Sequence, residues 1–179
     1  MQRSGISRRQ FFYGALLAGA IPAGGFGSTP SLRRLGYKSP NEKLNIASIG
    51  AGGQAAVGIN ALARIGENIV ALCDPDDKQA EGIYKTYEKV PKYKDFRRML
   101  DREAGNIDAV LIATPDFMHG AQAMWCMERG KHVYVQKPMT RTVWESRKLM
   151  EAARKYKVAT QMGNQGYCQD DTRICAEMI

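Results

Sequence analysis

The chain has 179 residues, 44% of them hydrophobic and 25% charged, which supplies one buried core and argues against a disordered polymer. Its formal charge of +8 is gathered at the start: residues 1–40 carry Arg3, Arg8, Arg9, Arg33, Arg34 and Lys38 and no acid, and taking those six from the 26 basic residues leaves 20 against 18 acidic ones. A nearly balanced body offers no electrostatic footprint for a polyanion, so a nucleic-acid partner is not expected.

The basic start runs through Ser7-Arg8-Arg9-Gln10-Phe11-Phe12 into a Gly/Ala-rich apolar stretch over residues 13–26. Gly14, Gly19, Pro22, Gly24, Gly25 and Gly27 oppose a stable membrane span of ~20 residues. Paired arginines, an aromatic just after them and a weak apolar region together resemble a twin-arginine export signal over residues 1–27. That resemblance implies the Tat translocase as a transient partner and a periplasmic or exported location. A basic tail leading into a short helix is the plainer alternative. Ala18-Gly19-Ala20 and Gly25-Phe26-Gly27 are two candidate cleavage sites, and uncleaved anchoring stays open.

Residues 28–43 read as a polar linker, because Pro30, Gly36 and Pro40 block regular structure. From Leu44 onward, apolar strands alternate with amphipathic helices. Strands are expected at 44–49, 68–74, near Tyr93, 108–114, 132–136 and 158–162, and helices at 55–65, 78–88, 96–103, 120–129 and 143–156. This alternation is the pattern of an α/β fold with a parallel, doubly wound sheet, and the near-continuous apolar strands suit burial on both faces. Thr142 and Glu145 form a capping box that marks the start of the last of these helices. Trp125, Trp144 and the methionines are expected to pack in the core.

The first strand runs directly into Gly50-Ala51-Gly52-Gly53-Gln54-Ala55, which opens a helix. Gly50 suits the tight turn, Gly52 a close approach of backbone to pyrophosphate, and Ala55 tight packing of helix on sheet, with Gly53 completing the phosphate loop. Asp74 ends the second strand 22 residues after Gly52, near the ~20 expected of an acid that binds ribose hydroxyls. A carboxylate there repels a 2′-phosphate, and no arginine follows in Pro75-Asp76-Asp77-Lys78, so NAD is favoured over NADP.

Open α/β sheets bind ligands beyond the carboxyl ends of their strands. Those positions hold Thr114-Pro115 with His119 shortly after, Gln136-Lys137-Pro138, and Gly163-Asn164-Gln165-Gly166. The cysteines, Cys73, Cys126, Cys168 and Cys175, contain no CxxC pair; Cys73 and Cys126 read as small buried hydrophobes, and no metal site is expected. A helical pattern over 171–179 ends without a stop signal, which reads as a cut, with residues 167–179 beginning a connection to further chain.

These motifs resemble the Gfo/Idh/MocA oxidoreductase family over residues 44–179, on the strength of Gly50 to Ala55, Asp74, Thr114-Pro115 with His119, and above all Gly130-Lys131-His132-Val133 leading to Gln136-Lys137-Pro138. The family pattern is Glu-Lys-Pro, so Gln136 departs from it. The resemblance implies that residues 44–166 are a Rossmann domain and that the α+β substrate domain lies outside this chain. It also implies that Lys137 is a catalytic or substrate-orienting lysine, that Thr114, Pro115, His119 and Gln136 contact the cofactor, and that Asn164 and Gln165 face the substrate. For His119 a structural hydrogen-bonding role is the equal alternative. An ammonium beside a reacting hydroxyl stabilises developing alkoxide charge; Gln136 can hydrogen-bond a cofactor but cannot help hold that lysine charged.

The implied activity is hydride transfer between NAD and a CH–OH group of a sugar, glycoside or polyol, with a histidine and an acid from the other half completing the site. The chain alone is then expected to bind NAD and turn over little, and oligomerisation, if present, to run through that other half. Export would further require a tightly held nucleotide. Redox-assisted glycoside cleavage and a non-catalytic NAD-binding partner are the alternatives.

Overall fold

The structure is a computed structural model that describes residues 43–168 and 170–178. The expected export signal and all of the linker up to residue 42 lie outside the described residues. Residues 43–179 form one unit. In it, strands β1 (Asn45–Ile49), β2 (Asn68–Cys73), β3 (Lys92–Tyr93), β4 (Ala109–Ile112), β5 (His132–Gln136) and β6 (Thr160–Gly163) alternate with helices α1 (Gly53–Arg64), α2 (Asp77–Thr86), α3 (Phe96–Glu103), α4 (His119–Glu128), α5 (Val143–Tyr156) and α6 (Asp170–Glu177). The sheet is parallel throughout, in the order β3-β2-β1-β4-β5-β6. The order reverses beside β1, so the carboxyl ends of β1 and β4 diverge into a crevice.

Alternation along the strands divides the apolar residues between two cores. Ile46, Leu72 and Leu111 face α1 and α2 and meet Ala55, Ile59, Ala80 and Ile83. Ala47, Ile49, Val110, Ile112, Val133 and Val135 face the other way, onto Met99 and Leu100 of α3, Cys126 and Met127 of α4, and Leu149 of α5. Gly58 lets α1 lie close to the sheet, since a Cβ there would come within 2.9 Å of Leu111 Cδ2.

Among the described residues, three helices begin on side-chain caps. Asp76 accepts from the N–H groups of Lys78 and Gln79 at the start of α2, Asp95 from that of Arg97 at α3, and Thr142 from that of Glu145 at α5. At α5 the reciprocal bonds from the N–H groups of Arg141 and Thr142 to Glu145 complete the capping box. Desolvation raises the Glu145 pKa, but the hydrogen bonds from Thr142 and Arg141 together outweigh it and hold the carboxyl below its ordinary value.

Besides element ends that differ by one or two residues, such as β4 stopping at Ile112 rather than 114, the structure departs from the sequence reading as follows. First, β6 starts two residues later than expected: Lys157 ends α5 in the left-handed conformation (φ 54°), and the N–H of Ala159 donates to Nδ1 of His132 at 2.8 Å before pairing begins. Second, a 3-10 turn, Asp116–Met118, precedes α4, which begins at His119, and another, Gln165–Cys168, follows β6. Third, burial on both faces holds at β1 and β4 but not at β5 and β6: Tyr134 is 37% exposed on the α1 side, and Met162, paired with Val135 and so on the opposite face, is 38% exposed on the edge strand. Fourth, the tryptophans and some of the methionines are not core residues: Trp144 is 67% exposed, Trp125 lies on the surface between Phe96 and the Arg129 guanidinium, and Met150 and Met178 are exposed, while Met99 and Met127 are buried as expected.

Candidate functional site

A cleft of about 650 Å³ opens over the carboxyl ends of β1, β2 and β4, bounded by Gly50, Gly52, Gly53, Asp74, Thr114 and Pro115 among others. Gly50 takes φ +97°, its N–H donates to the carbonyl of Cys73 at 2.8 Å, and a Cβ there would collide with the carbonyl oxygen of Ala113. Gly53 also has positive φ (+50°), but nothing lies within 4 Å of where its Cβ would be, so its surroundings are open. At Gly52 the crowding comes from within the protein: a Cβ would strike the backbone carbonyl of Gln79 on α2. Close approach at Gly52 therefore already serves helix packing, in addition to any ligand. Ala55 is fully buried and seats α1 on the sheet.

Unlike α2, α3 and α5, α1 has no side-chain cap and no acid in its first turn. A helix N-terminus left in this state presents unpaired N–H groups and the positive end of the helix dipole to the cleft. The residues thus fit a pyrophosphate: two glycines with positive φ, an uncapped helix start, and a carboxylate alongside.

That carboxylate is Asp74. Its Oδ2 accepts from the N–H of Ala51 (2.8 Å) and of Gly52 (3.3 Å), and its Oδ1 from the N–H of Asp76 (2.9 Å). A carboxylate has about four lone-pair sites, so these three donors leave one, on Oδ1. Two basic residues that sequence spacing did not associate with Asp74 come to the rim of the cleft, Lys94 from the turn between β3 and α3 and Arg97 from the first turn of α3. Both are paired, Lys94 with Asp77 at 2.5 Å and Arg97 with Asp95 at 2.8 Å.

A smaller cleft of about 230 Å³ lies where β4 and β5 end, and Gln54, Thr114, Asp116, His119, Gln136, Lys137 and Gln165 line it. It brings together most of the residues expected at the reacting end. Lys137 is exposed, its N–H donates to the carbonyl of Gly163 at 3.2 Å, and the Lys137–Pro138 peptide is cis. Gln136 is only 6% exposed and accepts from Nε2 of Gln165 at 2.9 Å. The Thr114 hydroxyl donates to Gln122 on α4 at 2.6 Å. Gln54, inside the glycine motif, and Gln122 were not singled out as site residues from the sequence; the spacing of Gln122 one turn beyond His119 was the available signal. Asn164 is exposed just past β6 and does not line this cleft.

His119 is 1% exposed. Nδ1 lies 2.7 Å from the carbonyl oxygen of Pro138 and Nε2 lies 2.8 Å from that of Thr114. Both ring nitrogens are therefore directed at backbone rather than offered to a nucleotide. Among the described residues, no group of three or more His, Cys, Asp or Glu side chains is placed to hold a metal. Nor is any described helix long and apolar enough to cross a membrane.

A parallel sheet reversing at β1, a glycine turn running into an uncapped helix, and an acid after β2 define a nucleotide-binding Rossmann domain. The family model for GFO_IDH_MocA, described as an oxidoreductase family with an NAD-binding Rossmann fold, matches residues 44–164, and the chain belongs to that family. Among similar proteins, a glycosyl hydrolase family 109 protein of Solibacter usitatus is 30% identical, over 90% of this chain and 40% of its own length. Glucose-6-phosphate 3-dehydrogenase of Bacillus subtilis is 29% identical, over 66% of this chain and 33% of its own length. The solved structure of the WlbA dehydrogenase of Bordetella pertussis, in complex with NADH and UDP-GlcNAcA, shares the fold with a TM-score of 0.64 at 24% identity, covering 70% of this chain and 38% of its own. The chain spans 32% to 40% of the first curated relatives' lengths.

Proposed function

We propose that this chain is the cofactor-holding half of an NAD-dependent oxidoreductase acting on a CH–OH group of a sugar, glycoside or polyol. The observation that carries the reading is the uncapped start of α1 behind Gly50, Gly52, Gly53 and Ala55, with Asp74 bonded into the same turn. In this reading the N-terminal turn of α1 holds the pyrophosphate, Asp74 takes a ribose hydroxyl on its remaining Oδ1 site, and Thr114 and Pro115 border the nucleotide. Lys137 and Gln136 stand at the reacting end, with Asn164 and Gln165 toward the substrate. The bound nicotinamide supplies the hydride acceptor or donor.

Lys137 orients the substrate hydroxyl and stabilises negative charge developing on its oxygen. Gln136, neutral and bonded to Gln165, fixes an amide beside it. NAD is preferred to NADP because Asp74, Asp76 and Asp77 crowd the ribose end with negative charge while Lys94 and Arg97 are already paired.

A sugar-type substrate is supported by the dehydrogenase relative named for glucose 6-phosphate and by the UDP-GlcNAcA complex. The second reading, redox-assisted glycoside cleavage on a retained nucleotide, is favoured by the family 109 glycosyl hydrolase relative, whose similarity extends over 90% of this chain. An export signal over residues 1–27 would deliver the folded protein to a compartment without a free NAD pool, which requires the nucleotide to be loaded first and regenerated in place. In this plan residues 28–43 are the linker, 44–166 the nucleotide domain, and 167–179 the start of the connection to a substrate domain that also carries any subunit contact.

The test has two arms. Residues 1–179 are titrated with NAD and NADP, where tighter NAD binding is expected and binding of neither nucleotide rejects the reading. The full-length protein is then given simple polyols and glycosides and the products identified. A keto product supports a dehydrogenase, a split glycoside supports the second reading, and an intact panel from a nucleotide-loaded protein leaves only a non-catalytic binder. Robust turnover by residues 1–179 alone would contradict the division of labour between the halves.

A further inference from the structure

We propose that His119 carries a proton on both ring nitrogens and is the positioning residue that clamps the Thr114–Pro115 loop to the Lys137–Pro138 loop. Its two nitrogens sit 2.7 Å from the Pro138 carbonyl oxygen and 2.8 Å from the Thr114 carbonyl oxygen. A carbonyl oxygen only accepts, and a neutral imidazole has a single N–H. With one proton, one of the two contacts would set a nitrogen lone pair against an oxygen lone pair at hydrogen-bond distance. With two protons, both are charge-assisted hydrogen bonds.

The opposing terms are burial of the cation, at 1% exposure, and its place in the first turn of α4, where the helix dipole disfavours positive charge. The dipole effect is smaller than one hydrogen bond to a charged group. The two carbonyls take the place of the waters that would otherwise accept from the two ring N–H groups, with charge-assisted bonds. The titratable groups around the ring are Asp116 and Lys137, which line the same cleft, and Glu145 of α5, which lies against the neighbouring Gly120.

The clamp matters because of what it joins. Thr114 follows β4 and Pro138 is bonded directly to Lys137, so a single ring fixes the two strand ends that border the smaller cleft. The chain also contains its own control, because it has only two histidines. His132 accepts from the N–H of Ala159 through Nδ1 at 2.8 Å, so that nitrogen must be bare.

The functional meaning of the clamp rests on the reading of Lys137 given above, but its existence does not. The experiment is nitrogen NMR of the ¹⁵N-histidine-labelled 179-residue chain near neutral pH. The expected result is two protonated ring nitrogens at His119 and one bare nitrogen at His132. A bare nitrogen on His119 overturns the proposal.

His119→Gln, whose single amide nitrogen cannot reach both carbonyls, should speed hydrogen exchange of the Lys137 amide roughly tenfold or more while the glycine turn keeps its signals; unchanged exchange in a folded variant also counts against the clamp. Should that variant not fold, the wild-type ring measurement decides alone. A chain that shows the ring signature but binds no NAD keeps the clamp and removes the cofactor reading.

Discussion

The carboxylate of Asp74 is bonded to the backbone of Ala51: Oδ2 accepts from the Ala51 N–H at 2.8 Å, across the top of two neighbouring strands. The acid after β2 and the glycine turn after β1 are therefore one structure before any ligand arrives, with three N–H groups on the carboxylate. Asp74→Ala should weaken NAD binding about 10- to 100-fold, the range of one or two hydrogen bonds to a charged group, and narrow the preference for NAD over NADP. Calorimetric titration of the variant with both nucleotides measures this. Unchanged affinity would remove Asp74 from the nucleotide site.

The turn glycines should differ in what they tolerate. Gly50→Ala combines a positive φ with a collision against the Ala113 carbonyl, and backbone of two adjacent strands must move to relieve it. Gly53→Ala meets the φ penalty alone, in open space, at a cost of about 1 kcal/mol. Thermal melts should therefore show a modest loss for Gly53→Ala and a clearly larger one for Gly50→Ala. Equal losses would show that conformation, not contact, governs both positions.

At low pH the group to watch is Asp95. Hydrogen bonds from the Arg97 side chain and then its backbone N–H hold the Asp95 carboxyl at about 2, below its ordinary 3.8. Its folded value lies below the unfolded one, so the stabilisation is complete above the unfolded value and is lost as pH falls through the folded one. Asp95→Asn should then lose stability at about pH 5 and lose much less at about pH 2. The effect should be small and salt-sensitive, because the pair faces solvent. Melts of both proteins across that interval supply the comparison, and a difference independent of pH would assign the effect to capping alone.

Thiol chemistry separates the cysteines. Burial first, then the charges of Asp74 and Asp95, push the Cys73 thiol up to about 12; burial does the same at Cys126. Brief alkylation of the native chain at about pH 8 should leave both unmodified while the exposed Cys175 reacts. Peptide mass mapping reads the outcome. Native-state labelling of Cys73, which borders the larger cleft, would mean that the cleft opens far more than its packing suggests.

The parts of this fold legible in the sequence were those set by local chemistry. The glycine turn is required by backbone geometry at Gly50, the start of α5 is fixed by the Thr142 and Glu145 side chains, and the strands of the central sheet stand out as apolar runs. What stayed hidden depended on partners distant in the chain. Nothing local brings Lys94 and Arg97 beside Asp74, because β3 reaches that position only through pairing with β2. His119 read equally well as a ligand contact or a structural residue until the carbonyls of Thr114 and Pro138 stood on either side of it. Tyr134 looked like a core residue because an apolar strand carries no mark of which face lacks a covering helix, and Met162 because nothing local marks β6 as the edge of the sheet. Gly52 suggested a ligand, whereas the group nearest it is the backbone of Gln79.

That uncovered face has a practical side. Val57 on α1 and Ile65 just past its end, 61% and 73% exposed, join Tyr134 around a shallow apolar depression of about 330 Å³. Water against such a surface is unfavourable however well the rest of the domain is folded. In concentrated solution the isolated domain should be adhesive, taking up hydrophobic dye while its melting remains cooperative and drifting toward larger species as concentration rises. Its solubility and its stability are thus governed by different residues, and improving one leaves the other where it was.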